Sequence, residues 1–117
     1  MLGNNRSLIG GPMSEPIVRV SQGFFEPQQY DIVAAKLKEG RSILEPALHA
    51  LPGLIHYYVS IDSLSNSMIN VSIWESLQAA QQMNTLKEML AQRDIFVALG
   101  VKFHDIRNYS GLWSIDP

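Results

Sequence analysis

The chain has 117 residues, the size of one domain, and its 46% hydrophobic content is enough to form a packed core. Its formal net charge is −2 and its nine Lys and Arg residues are scattered, which argues against nucleic acid as a partner. Cysteine is absent and no apolar run approaches the roughly 20 residues of a membrane helix, so we expect a cytoplasmic protein without disulfides and without a membrane partner.

The first dozen residues differ from the rest of the chain. Residues 1–12 contain one Arg and no extended apolar stretch, so they do not resemble a secretion signal. Met13 is followed by Ser14 and Glu15, which suits an internal start. We therefore expect residues 1–12 to be an added leader or a flexible arm, and residues 13–117 to form a single domain.

The first half of the domain predicts a strand followed by a helix. Residues 17–25 are rich in β-branched and aromatic side chains, and Pro27 suits the first turn of a helix. Apolar residues then recur at helical spacing up to Leu48. Because Pro46 removes a backbone donor, we expect a break there and a short second turn reaching Leu51.

The second half predicts a hairpin, a second helix and a last strand. Residues 54–61 and 68–74 are strand-like and flank the polar turn 62–67. Ser76 can cap a helix, a Thr85–Glu88 capping box can mark a kink, and Asp94 can cap a short last turn through residue 99. Gly100 suits a left-handed helix end before a strand at 101–109. The order βαββαβ predicts an α+β, ferredoxin-like fold with a four-stranded antiparallel sheet and two helices.

Such a sheet has one face that its own helices leave uncovered. In the strand 68–74 apolar side chains lie on both sides, so neither face has the pattern of a solvated surface. The tail also carries Leu112, Trp113 and Ile115, which are too apolar for a free terminus. We predict that the protein associates with itself as a homodimer.

Common catalytic and cofactor signatures are missing from the sequence. There is no Gly-x-Ser-x-Gly elbow, no phosphate-binding glycine loop and no His-Glu-x-x-His zinc pattern. His49, His56 and His104 lie on different elements, so a three-histidine metal site would need tertiary coincidence. We expect neither a metal nor a cofactor.

The most specific feature is a polar and aromatic set on one strand. The period of two places Asn70, Ser72 and Trp74 on the same side. They could line a ligand pocket, or Trp74 could close the core while Asn70 satisfies a backbone group. From residue types alone the structural role is favoured.

Over residues 17–109 the sequence resembles the antibiotic biosynthesis monooxygenase family of dimeric α+β barrels. The resemblance rests on Trp74-Glu75-Ser76 before the helix at residue 77, and on Pro52-Gly53 before the second strand. It implies a cofactor-independent monooxygenase that binds a small aromatic or quinol-type substrate between sheet and helices. Asn70 and Trp74 resemble the asparagine and tryptophan of that family. Asn70 would hydrogen-bond a peroxy or carbonyl oxygen, and Trp74 would line the pocket.

The resemblance leaves the remaining site residues and the activity open. We expect the substrate-binding residues, including a base or an anion clamp, to come from Ser72, His56, Tyr57, Tyr58, His104 and Arg107. The haem-degrading branch is disfavoured, because residues 17–25 lack Asn and residues 77–99 lack His. The alternatives are a non-catalytic small-ligand or stress-response protein, and a purely structural dimer.

Overall fold

A computed structural model describes residues 15–117; the predicted leader 1–12 and the start at Met13 lie outside them. The strands are β1 (Ile17–Phe24), β2 (Leu54–Asp62), β3 (Ser67–Trp74), β4 (Lys102–Phe103) and β5 (Arg107–Ser110). The helices are α1 (Tyr30–Glu39), α2 (Arg41–His49), α3 (Leu77–Ala80) and α4 (Lys87–Ala98), with 3-10 turns at Pro27–Gln29 and Gln81–Asn84. Within the described part of the chain, no helix has the length and apolar character needed to cross a membrane.

The sheet has the predicted ferredoxin-like topology. Its strand order is β2-β3-β1-β4, every pairing is antiparallel, and β5 also pairs with β1. The predicted last strand is interrupted at residues 104–106, so β4 and β5 together occupy the position of one edge strand. The α+β class and the antiparallel sheet covered by helices are therefore confirmed.

The first helical region breaks at Gly40 instead of at Pro46, so that prediction was wrong. Gly40 separates α1 from α2, and its missing side chain leaves room for α4: a Cβ on Gly40 would lie 2.9 Å from Oε1 of Gln92. Pro46 lies inside α2. Its missing N–H would have paired with the carbonyl of Ser42, which lies in an exposed turn that water can reach.

The second helical region begins as predicted. Oγ of Ser76 accepts a hydrogen bond from the Ala79 amide at 3.1 Å, which caps α3. The chain then kinks before α4, but Leu86 is the N-cap residue and makes no side-chain cap, so the Thr85–Glu88 capping box is not formed.

The end of α4 differs from the prediction in one respect. Asp94 lies within the continuous helix and does not start a separate turn. The helix ends as expected at Gly100, whose φ of +95° lies in the left-handed region that glycine adopts without strain.

The helix-covered face of the sheet carries two apolar clusters, one near each end of β3. Met68 belongs to the first cluster and Trp74 to the second. Asn70 and Ser72 lie between them on the same face. The other buried members are Phe25, Val33, Phe96 and Val101 in the first cluster, and Leu48, Ala80 and Met83 in the second.

Candidate ligand-binding site

A cavity of about 370 Å³ lies between the two apolar clusters, and we call it the central cavity. Its volume is within the usual range for small-molecule sites. The sheet contributes mostly polar side chains to it, and the helical layer contributes mostly apolar ones. The sheet residues include Arg19, Ser21, Tyr57, Asn70 and Ser72, and the helical ones include Leu37, Leu44, Met83, Met89 and Phe96. We call the polar sheet side the floor of the cavity and the apolar helical side its roof. Together they suit an aromatic ligand that carries oxygen atoms.

Asn70 is the centre of this polar floor. It pairs with Ser21 of β1 on one side and with Val59 of β2 on the other. Its Oδ1 atom is buried and has no hydrogen-bond partner among the described residues. Leaving a buried acceptor unsatisfied costs about 1–3 kcal/mol, so folding alone does not account for an amide at this position. A ligand with a hydroxyl group would supply the missing donor.

Arg19 places a buried positive charge beside the cavity. Its side chain is on β1 and only 6% of the residue is exposed. Nη2 donates a hydrogen bond to Oδ1 of Asn84 at 3.1 Å. Burial lowers the pKa of Arg19 and the nearby Tyr57 opposes that effect, but a guanidinium remains protonated in proteins. The cavity therefore has a permanent cation in its wall.

Tyr57 is the cavity's buried phenol. Burial raises its pKa to about 12, although the charge of Arg19 acts in the opposite direction. The hydroxyl group makes a long contact of 4.0 Å with Sδ of Met89. At neutral pH Tyr57 is therefore protonated, so it can donate a hydrogen bond to a ligand but is a poor proton acceptor.

Trp74 is located behind the cavity and does not line it. Its side chain has no exposed surface and packs in the second apolar cluster. Its indole N–H donates a hydrogen bond to Oγ of Ser72 at 2.8 Å. The expectation that Trp74 forms a pocket wall is therefore not met at the central cavity, where Ser72 occupies the surface in front of it.

The mouth of the cavity lies near the segment between β4 and β5. His104 and Asp105 are exposed there, and the ring of His104 lies 4.6 Å from that of Phe24. Arg93 reaches the same region with its guanidinium 4.5 Å above the ring of Phe103. His104 is thus the one predicted histidine among the residues that line the cavity, but its ring packs on Phe24, which the alternation of β1 places on the uncovered face of the sheet.

The other predicted residues lie elsewhere. His56 stacks on Tyr58 at 5.6 Å, and Arg107 is exposed on β5 opposite Val20. A register shift between Leu54 and His56 directs Tyr57 toward the helices and His56 away from them. The structure therefore does not bring His56, Tyr58 and Arg107 together with Asn70.

A second, larger depression adjoins the central cavity. It has a volume of about 920 Å³ and lies between α2 and β2, where His56 forms part of its wall. Leu37, Leu44, Tyr57 and Val59 line both spaces, so the two are adjacent.

No group of three or more His, Asp or Glu side chains in residues 15–117 is arranged to hold a metal ion.

The important residue that sequence reasoning missed is Arg19. Its signal was present, because β1 alternates Val18 and Val20 on one side with Arg19 and Ser21 on the other. That pattern is typical of a solvated polar face, whereas here the polar side faces the cavity.

No protein-family model and no curated protein matches the sequence. Solved structures do match its fold. A putative antibiotic biosynthesis monooxygenase from Deinococcus radiodurans is similar over 86% of this chain and 97% of its own, with 19% identity and a TM-score of 0.65. A similar protein from Nitrosomonas europaea, of the same description, shares 10% identity over 88% of this chain and 96% of its own, with a TM-score of 0.67.

SnoaB from Streptomyces nogalater, described as a cofactor-independent oxygenase, is similar over 89% of this chain and all of its own. The identity is 12% and the TM-score is 0.62. At such low identity these matches establish a common fold. The resemblance inferred from the sequence is therefore confirmed at the level of the fold.

Proposed function

We propose that the protein is a cofactor-independent monooxygenase that oxidises a small aromatic, quinol-type substrate in the central cavity. The observation that carries this proposal is the buried, unpartnered Oδ1 of Asn70 in the floor of that cavity. SnoaB, which is described as a cofactor-independent oxygenase, has a similar fold, and this similarity supports the proposal. The leucine, methionine and phenylalanine side chains of the roof fit an aromatic ring.

In this chemistry the deprotonated substrate itself supplies electrons to dioxygen. For an anthrone, a ring CH₂ group reacts with O₂ to give a C=O group and one molecule of water, which balances atoms and electrons. The amide of Asn70 would accept a hydrogen bond from a substrate hydroxyl through Oδ1. Its Nδ2 would donate to the oxyanion or peroxide that develops, which is the kind of preorganised contact that stabilises a transition state.

We also propose that the protein works as a cytoplasmic homodimer. The face of the sheet opposite the helices carries Val18, Val20, Ile69, Val71 and Ile73 by the alternation of the strands. The tail adds Leu112, Trp113 and Ile115, each at least 76% exposed. An apolar sheet face flanked by an apolar tail suits burial against a second copy.

A non-catalytic ligand-binding protein is the second candidate function. It is favoured by the shortage of proton acceptors inside the cavity: Tyr57 is protonated at neutral pH, and His104 and Asp105 lie at the mouth. An oxygenase would have to pass the substrate proton to one of those mouth residues or to water, whereas a binding protein needs no acceptor.

Isotope labelling separates these two functions. Metal-free protein is incubated with an anthrone under ¹⁸O₂, and the quinone product is analysed by mass spectrometry. An oxygenase incorporates one labelled oxygen atom per quinone and forms it faster than the solution without protein. Product formation no faster than that background would reject the oxygenase function and favour the non-catalytic ligand-binding function.

A further inference from the structure

We propose that the central cavity binds its ligand as an anion, with an ionised oxygen of an aromatic compound lying against the guanidinium of Arg19. This inference rests on the proposed function for its catalytic meaning, but the binding that it describes does not require turnover. It assigns to Arg19 a direct role in binding the ligand.

The charge of Arg19 is not balanced by any nearby group of the described chain. The residue is nine-tenths buried, and within residues 15–117 it makes no ion pair. Its hydrogen-bond partner Asn84 is neutral, and so is Tyr57 at neutral pH. A buried charge without a counter-charge is strongly unfavourable, so an anionic ligand would relieve it.

The other charged groups at the cavity do not change this balance. Asp105 lies at the exposed mouth, and Arg93, also at the mouth, contributes a second positive charge. The two ion pairs of the described chain, Lys36–Glu39 and Arg41–Glu45, are on the outer surface of α1 and α2. The buried part of the cavity is therefore positive, and it has no carboxylate of its own.

Arg19 lies near Asn70 on the helix-covered face of the sheet. Across the β1–β3 pair, Arg19 is opposite Ser72 and Ser21 is opposite Asn70. Arg19 and Asn70 are thus diagonal neighbours on one face, with backbone positions roughly 7–8 Å apart. An aromatic ring between them can present one oxygen to the guanidinium and a second oxygen to the amide.

The charge of Arg19 also affects how readily the substrate loses its proton. A fixed positive charge beside the substrate oxygen favours its ionised form, which lowers the pKa of the bound substrate. The proton leaves to water through the mouth and the electron pair remains on the substrate, which is the form that reduces dioxygen. Arg19 would in this way compensate for the lack of a strong base inside the cavity.

Binding of two isosteric probes tests the proposal without any turnover. 2-Naphthoate is an anion at neutral pH and 2-naphthamide is its neutral counterpart, and their affinities are measured by calorimetry. The wild type should prefer the naphthoate by about tenfold or more, as expected for a charge-assisted hydrogen bond. Arg19→Met should abolish that preference, and Arg19→Lys, which keeps the charge, should retain most of it.

The matched control is Lys87→Met, which removes a positive charge from an exposed side chain at the start of α4 that lines neither the central cavity nor the adjoining depression. It should keep the wild-type preference. Equal affinities in the wild type, no binding of either probe, or an Arg19→Met variant that still prefers naphthoate would each overturn the anion site. A clear preference for naphthoate without oxygen uptake would keep this inference and reject the oxygenase.

Discussion

The indole N–H of Trp74 donates a hydrogen bond to Oγ of Ser72, two residues earlier on the same face of β3. Both residues are buried, and Ser72 lines the cavity while Trp74 packs in the apolar cluster behind it. The sequence predicted the common face, and residue types favoured a core position for Trp74, whereas the family resemblance assigned it to the pocket wall. The structure gives that position to Ser72 and makes Trp74 the support of Ser72.

Trp74→Phe should therefore lower the stability of the protein and have a smaller effect on its affinity for ligand. The variant loses the indole donor and leaves Ser72 without its partner, which should lower the free energy of unfolding by about 1–3 kcal/mol. Urea denaturation measures the change. Unchanged stability together with weaker ligand binding would indicate that Trp74 lines the pocket after all.

The raised pKa of Tyr57 predicts a specific loss of stability at high pH. Because the unfolded phenol ionises near pH 10 and the folded one at about 12, the unfolded state loses its proton first as the pH rises. The contribution of Tyr57 is fully present below about pH 10 and falls by about 2 kcal/mol toward pH 12.

Chemical denaturation at about pH 9 and about pH 12 measures that loss for the wild type and for Tyr57→Phe. The phenylalanine variant should lose less stability over this interval. Identical losses in the wild type and Tyr57→Phe would contradict the burial of the phenol.

Self-association should depend on the uncovered face of the sheet. Val71 is at its centre, opposite Val20 on one side and Tyr58 on the other. Light scattering at micromolar concentration should give twice the mass of the chain for the wild type. Val71→Lys should give a monomer, because it introduces an unpaired charge into the buried face.

Val97→Lys provides the control for this experiment. Val97 is 51% exposed on α4, in the helical layer on the other side of the sheet, so this variant should remain dimeric. A monomeric wild type, or the same mass for both lysine variants, would rule out the sheet face as the interface.

The order of strands and helices could be predicted from the sequence because its turn residues are distinctive. Gly100 and Ser76 each have the local role that their residue type favours. The helix break was misplaced, because the close packing of Gln92 on Gly40 involves a helix far along the chain and leaves no local pattern. Pro46, the stronger local signal, is accommodated within α2.

The residues of the central cavity could be predicted only in part. The period of two identified the shared face of Asn70 and Ser72, but it does not say how deeply each position is buried. The register shift in β2, which directs His56 away from the helices, leaves no mark in residue types. Arg19 was missed because a polar side of a strand has the same pattern whether it faces solvent or a cavity.

The catalytic role of Asn70 is the central claim, and steady-state oxygen uptake by metal-free protein tests it most directly. Quinols and anthrones are the substrates, and Asn70→Ala is compared with the wild type and with Gln78→Ala, an exposed amide on α3. We predict substrate-dependent uptake in the wild type and in Gln78→Ala. In Asn70→Ala kcat should fall by about a hundredfold, with a smaller change in KM, because the lost contact acts mainly in the transition state. Equal kcat values in Asn70→Ala and the wild type would contradict the account.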